Sequence, residues 1–226
     1  MNFLSHYYLD RHHPSAYFKL GLVIPDLVRG YNKYMRKAVA AYQPQTAEHR
    51  ALQAGLGKHR ETDRIFHTLP EFDYLQEEIK SQLKIHGLLP KLPRYWFLAH
   101  IAVEMLIDRN LMKQSPRLHV EFYNDLATVS QPLVENYFDQ IACKPMASEF
   151  FDNFNVFKER RFLQYYPSDT HFTEALLMAW YRATGNKVEA NVRLKTQQAL
   201  LEFERQHADL LASIPEIVAQ QFKIVT

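Results

Sequence analysis

The stretch LPKLPRYWFLAHIAVEMLIDRNLM, Leu89 to Met112, decides the fold class. Between Trp96 and Asp108 its only polar residues are His100, Glu104 and Asp108. On an α-helix each four-residue step turns by about 40° and rises about 6 Å, so the three stack along one line. The prolines ahead of Tyr95 suit a helix start, because the first turn needs no backbone N–H there. A helix apolar on its remaining sides is expected to be buried, and a buried carboxylate needs an opposite charge, hydrogen-bond donors or a metal ion. The same row also suits the one solvent-facing line of an amphipathic helix.

Outward from that stretch the helical period continues. ALLMAWYRATG, Ala175 to Gly185, reads as an apolar helix ended by glycine, and the run from Leu194 to Phe222 is amphipathic with a proline break expected at Pro215. PRLHVEFYNDLATVSQPLVENYFDQIA keeps the helical period with a break at Pro132, and Cys143 to Ser168, rich in Phe, Asn and Pro, is the least regular region. Strand-like alternation is scarce. The class is all-α, and residues 1–226 are expected to form a single helical domain, a bundle without a Gly/Ser linker or internal repeat.

With 226 residues, 47% of them hydrophobic and 13% aromatic, the chain can bury a sizeable core. One cysteine, Cys143, excludes an intrachain disulfide framework and a cysteine-based zinc site, which favours a reducing compartment and a cytoplasmic location. MNFLSHYYLD has no basic segment followed by an apolar one, and no run suits a spanning helix, so a soluble, unexported chain is expected with no membrane association. A net charge of +2 is too mild to indicate nucleic acid. The chain has no Walker loop, no Rossmann glycine fingerprint and no Gly-x-Ser-x-Gly elbow.

A second polar row lies in GLGKHRETDRIFHTLP, Gly55 to Pro70, where His59, Asp63 and His67 follow one another at four-residue intervals. Lys58, Arg60, Glu61, Thr62 and Arg64 surround it, so a solvated helix face also accounts for it. Two helices that each carry a histidine and a carboxylate four residues apart nonetheless offer the ligand set of Mn, Fe, Zn or Mg sites. His6 in MNFLSHYYL suits a packed core position as well as a ligand. Asp26 in LGLVIPDLVRG suits a helix cap as well as a ligand. The basic residues Arg29, Lys33, Arg36 and Lys37, and the run Lys158 to Arg161, are ordinary solvated faces that would also receive phosphate or an acidic partner.

These residues carry a resemblance. MNFLSHYYLDRHHPSAYFKLGLVIPDLVRG resembles the opening of the bacterial acyl carrier protein phosphodiesterases, which begin Met-Asn-Phe-Leu-Ala-His and reach Gly-Asn-Leu-x-x-Asp-Phe-Val-Arg-Gly. Their next block, Gly-Ile-x-x-His-Arg-x-Ile-Asp-x-x-Thr-Asp-x-x-Pro, is similar to GLGKHRETDRIFHTLP, with His59, Arg60 and Asp63 on matching positions and His67 in place of the second Asp. Their third block, Leu-Asp-x-x-x-Asp-His-x-Leu, is similar to VEMLIDRNL: Glu104 stands for the first Asp, Asp108 matches the second, and Arg109 replaces the His. The likeness is continuous to about residue 112, with weaker echoes beyond.

The family is distantly related to the His-Asp metal-dependent phosphohydrolases, all-helical folds that hold one or two divalent ions. The resemblance therefore implies a phosphoric diester hydrolase that cleaves 4′-phosphopantetheine from the serine of holo acyl carrier protein, a small acidic partner. Manganese is the first expected ion, with Mg²⁺, Fe²⁺ or Zn²⁺ as alternatives. The implied metal ligands are His6, Asp26, His59, Asp63, Glu104 and Asp108, and Asp63, Arg60 and His100 are expected to carry catalysis. His100, not a histidine in the family, is expected to replace the coordination lost where Arg109 stands. Two alternatives stay open: a metal-dependent hydrolase of a nucleotide or other small phosphoester, and a helical binding protein without catalysis.

Overall fold

The computed structural model describes residues 1–28 and 35–225, and among them every regular element is helical. The helices are α1 (Phe3–Asp10), α2 (Ala16–Gly21), α3 (Ile24–Leu27), α4 (Arg36–Ala41), α5 (Ala47–Phe66), α6 (Pro70–Ile85), α7 (Tyr95–Gln114), α8 (Leu118–Ala127), α9 (Gln131–Gln140), α10 (Lys144–Arg160), α11 (Asp169–Thr184) and α12 (Ala190–Val225). The all-α class expected from the periodicity is what the chain adopts. The chain packs into two compact units, each built from separated segments. Residues 1–2, 64–116 and 163–226 form the first, and residues 3–63 and 117–162 the second; the division passes through α5 between Asp63 and Arg64.

In the first unit α6 and α12 pack on α7, and α11 packs on both α7 and α12. The stripe-bearing helix α7 is indeed largely buried, with Leu98, Ala99, Ala102, Val103, Leu106 and Ile107 withdrawn from solvent. Its start is held by Trp180 of α11, whose indole N–H donates to the Pro93 carbonyl at 3.0 Å. Ser168 caps α11, and Gly185 ends it at φ +73°, a left-handed conformation in which a Cβ is strained. The break expected at Pro215 falls elsewhere: α12 stays helical through that proline, and the non-helical residue is His207, at φ −122° and ψ 18°. There the His207 Nδ1–H donates to the Phe203 carbonyl at 3.0 Å, so the side chain takes the acceptor that the backbone N–H four residues on would use.

Arg109, the residue that replaces a family histidine, is buried in this unit. Its guanidinium pairs with Asp169 and lies 3.4 Å from Glu204, over the ring of Phe172. Lys113 also reaches Glu204, at 2.7 Å. Arg109→Met is expected to lower stability by about 2 kcal/mol, in the range of one charged hydrogen bond. The cost stays moderate because Asp169 is 44% exposed and is hydrated again, while Lys113 still neutralises Glu204. Thermal melts of the two proteins check this.

In the second unit α8 is the anchor for the two N-terminal helices. The Tyr7 hydroxyl donates to Asp125 Oδ2 at 2.6 Å, and the Lys19 ammonium reaches the same oxygen at 2.7 Å, tying α1 and α2 to α8. Tyr7 also sets its ring edge against Phe122, which faces His6 of α1 inward. The region read as least regular, Cys143 to Ser168, is mostly the helix α10. Phe150, Phe154 and Phe157 recur at helical spacing and are buried, the first stacking on Phe138 of α9 and the third meeting Phe122. Burial of that aromatic row outweighs the weak helix propensities of Asn and Phe.

Two glycines set the crossing of α2 and α5. A Cβ on Gly55 would lie 2.1 Å from the Phe18 carbonyl oxygen, and one on Gly21 would lie 2.3 Å from that of Leu52. The backbones touch only because neither residue has a side chain. Leu22 directly follows Gly21, and His59 stands one turn beyond Gly55, so this contact brings a carbonyl and an imidazole together.

Candidate metal centre

Among the described residues, two groups of three ligating side chains converge, each with its donor atoms within 4.8 Å of one another. One, in the second unit, is His6, His59 and Asp63. The other, in the first unit, is His67, His100 and Glu104.

The first group is built by the glycine crossing. The His59 Nδ1–H donates to the Leu22 carbonyl at 2.7 Å, which leaves Nε2 as the nitrogen presented to the carboxylates. That Nε2 lies 3.2 Å from Asp63 Oδ2 and 3.9 Å from Asp26 Oδ1. A backbone carbonyl orienting one imidazole nitrogen while the other faces carboxylates is the arrangement that holds a metal-ligating histidine in place. His6 stacks on His59 with ring centroids 4.0 Å apart, its Nε2 3.1 Å from Asp63 Oδ1. His6 is fully buried, and its Nδ1 has no hydrogen-bond partner among the described residues.

Charge in this group is one-sided. Burial, and next the neighbouring His59, push the His6 ring down to about 3, so it is neutral near pH 7. Burial also opposes a charge on His59, but Asp26 and Asp63 overcome it and raise that ring above the ordinary range. Burial likewise works against the Asp63 carboxylate, yet the hydrogen bonds from His59 and His6 hold its carboxyl far below the usual range. The carboxylates of Asp63 and Asp26 thus call for positive charge, which His6 does not supply and which either a protonated His59 or a bound cation does. A divalent cation bound by neutral His6, neutral His59 and ionised Asp63, with Asp26 at the margin, fits the donor types.

In the second group the His67 and His100 Nε2 atoms lie 3.1 and 3.4 Å from Glu104 Oε1. The α-ammonium of Met1 is 3.2 Å from the same oxygen. Burial opposes ionisation of Glu104, but the Met1 ammonium first, and then the hydrogen bonds from His100 and His67, hold it well below its usual range.

The remaining expected residues are placed as follows. Asp108 is fully buried on α7 and joins neither group. Arg60 is half-buried on α5, and its Nε has no hydrogen-bond partner among the described residues. His100 meets Glu104, whereas Arg109 pairs with Asp169 and Glu204. His67, set aside as a departure from the family block, takes part in a ligand group. Its signal was the four-residue spacing after Asp63, but its partners come from α7. The carbonyl of Leu22 carries no sequence signal, because any residue type supplies one. Arg29 and Lys33 of the basic segment lie outside the described residues, whereas Arg36 and Lys37 are exposed.

No family model matches this chain, and no curated protein or solved structure matches it either. Among the described residues no helix is long and apolar enough to cross a membrane.

Proposed function

We propose that this chain is a divalent-metal-dependent phosphodiesterase that, like the acyl carrier protein phosphodiesterases it resembles, hydrolyses the 4′-phosphopantetheine–serine phosphodiester of holo acyl carrier protein in the cytoplasm. The observation that carries the reading is the buried His6 stacked on His59, with the Nε2 atoms of the two rings 3.1 and 3.2 Å from the carboxylate oxygens of Asp63. It supports the likeness to the His-Asp phosphohydrolases, because His59 and Asp63 are residues of the matching block.

His6, His59 and Asp63 would hold the ion, with Asp26 completing the set, and Mn²⁺ is the first candidate. A bound divalent ion supplies Lewis acidity toward the phosphate and a water acidic enough to react near neutral pH. The protein's own groups do the rest. The Leu22 carbonyl fixes which nitrogen of His59 is presented. Asp63 sets one carboxylate oxygen toward each imidazole. Arg60, its Nε unpartnered, provides a guanidinium for a phosphate oxygen. Exposed Arg36 and Lys37, with Lys158 to Arg161 at the end of α10, offer positive charge to an acidic carrier protein. Such association weakens with salt, since exposed charges are screened beyond about 10 Å at 0.1 M.

Incubating the purified chain with Mn²⁺ and holo acyl carrier protein, then recording the carrier's intact mass, tests the reading. Loss of the phosphopantetheine mass is expected. Cleavage of an aryl phosphodiester with the carrier left intact transfers the activity to a nucleotide or other small phosphoester. A chain that retains no metal after loading and melts unchanged sinks the enzymatic reading and leaves a binding protein.

A further inference from the structure

We propose that His67, His100 and Glu104 form a second, independent metal site, specific for a transition ion of the Zn²⁺ type. The distances fit. Zinc bonds of about 2.0–2.1 Å at tetrahedral angles place neighbouring donor atoms about 3.3–3.4 Å apart. The two Nε2-to-Oε1 separations are 3.1 and 3.4 Å.

The alternative, a purely hydrogen-bonded cluster, is overcrowded. His67, His100 and the Met1 ammonium all direct nitrogen at one oxygen, Glu104 Oε1, which has two lone pairs for three donors. With a cation among them the imidazoles turn lone pairs inward and Oε1 needs no third proton. The scaffold is already set: the His67 and His100 rings stack 5.0 Å apart at 26°, and Phe72 of α6 backs both at 5.0 and 5.1 Å. Packing of this kind holds ligand rotamers before the ion arrives.

The donor set chooses the ion. Two imidazoles and one carboxylate favour Zn²⁺, Co²⁺ or Cu²⁺ over Mg²⁺ and Ca²⁺, which prefer oxygen. The side chains of His67 and His100 are 34% and 35% exposed, so an ion can enter and water can take the fourth position. His67 follows α5 and the other two ligands lie one turn apart on α7, so the ion clips a turn to the buried helix of the first unit.

This site does not rest on the reading of His6, His59 and Asp63, and one titration separates the two. The chelator-stripped full chain is titrated with Co²⁺, followed by visible absorption and by bound metal after desalting. The proposal expects two equivalents for the wild type, one for Asp63→Asn, one for His67→Ala with His100→Ala, and none for the three substitutions together. Glu104→Gln, which keeps the shape of the cluster, is expected to weaken the second equivalent at least tenfold and serves if the double variant does not fold. A single equivalent that Asp63→Asn abolishes, and that the His67/His100 and Glu104 changes leave intact, overturns this site while sparing the first. A single equivalent that only the His67/His100 change removes supports this site and sinks the first.

Discussion

Asp63→Asn is expected to abolish metal retention at the His6/His59 group and to lower phosphodiester hydrolysis by more than about 100-fold. Losing an outer partner of a metal ligand already costs about 10–100-fold, and Asp63 is the group both imidazoles face. Asparagine keeps the shape, so far-ultraviolet circular dichroism should match the wild type. The variant also changes how stability responds to pH in the metal-free protein. Asp63 is held below its unfolded value near 3.9, so its contribution is present above about pH 4 and is lost as pH falls below that. His59 is raised, so its contribution is present below its unfolded value near 6.5 and is lost as pH climbs through the raised one. Removing the carboxylate flattens both limbs. Undiminished activity in a folded Asp63→Asn protein refutes the ligand assignment.

Gly55→Ala should be the most destabilising single methyl group that can be added to this chain's α5. The new Cβ meets the Phe18 carbonyl oxygen at 2.1 Å and Gly21 Cα at 3.0 Å, both backbone atoms that cannot rotate away. Overpacking commonly costs 1–3 kcal/mol, and a backbone clash falls at about 3 kcal/mol. For a chain of this size that lowers the melting temperature by roughly 6–12 °C. The helices must separate, which lengthens the His59-to-Leu22 hydrogen bond and loosens Nε2, so Mn²⁺ affinity should fall in whatever fraction still folds. Gly57→Ala is the control. A Cβ there meets nothing within 4 Å, and alanine in a helix interior gains about 0.5–1 kcal/mol over glycine. Equal melting temperatures for the two variants would show that the crossing is not set by Gly55.

The sequence made part of the site legible and hid the rest for identifiable reasons. His59 and Asp63 stand four residues apart on one helix, a local geometry that spacing reveals. His6 lies 53 positions from His59 along the chain, and only the packing of α1 on α8 brings its ring beneath its partner. His67 looked like a lost ligand because its new partners, His100 and Glu104, lie on another helix. Arg109 looked like damage to a metal site, yet it is the centre of an ion-pair cluster with Asp169 and Glu204. The helix α10 escaped notice because its Asn and Phe content suggests irregularity, while its stability comes from burying Phe150, Phe154 and Phe157.

Helical period, glycine and proline punctuation and the two polar rows are local properties, set by backbone geometry within a few residues. They determined the all-α class, the start of α7 after the prolines and the end of α11 at Gly185. The choice among Asp63, Glu104 and Asp108 was not local. Each is a carboxylate on a suitable row, and one of them, Asp108, is buried apart from both ligand groups. Only the tertiary structure decided which donors converge, because a metal site is defined by atoms a few ångströms apart whose chain separations are set by how helices cross. At the crossing of Gly21 and Gly55 that decision comes down to two absent side chains, a backbone carbonyl and the single nitrogen of His59 left facing Asp63.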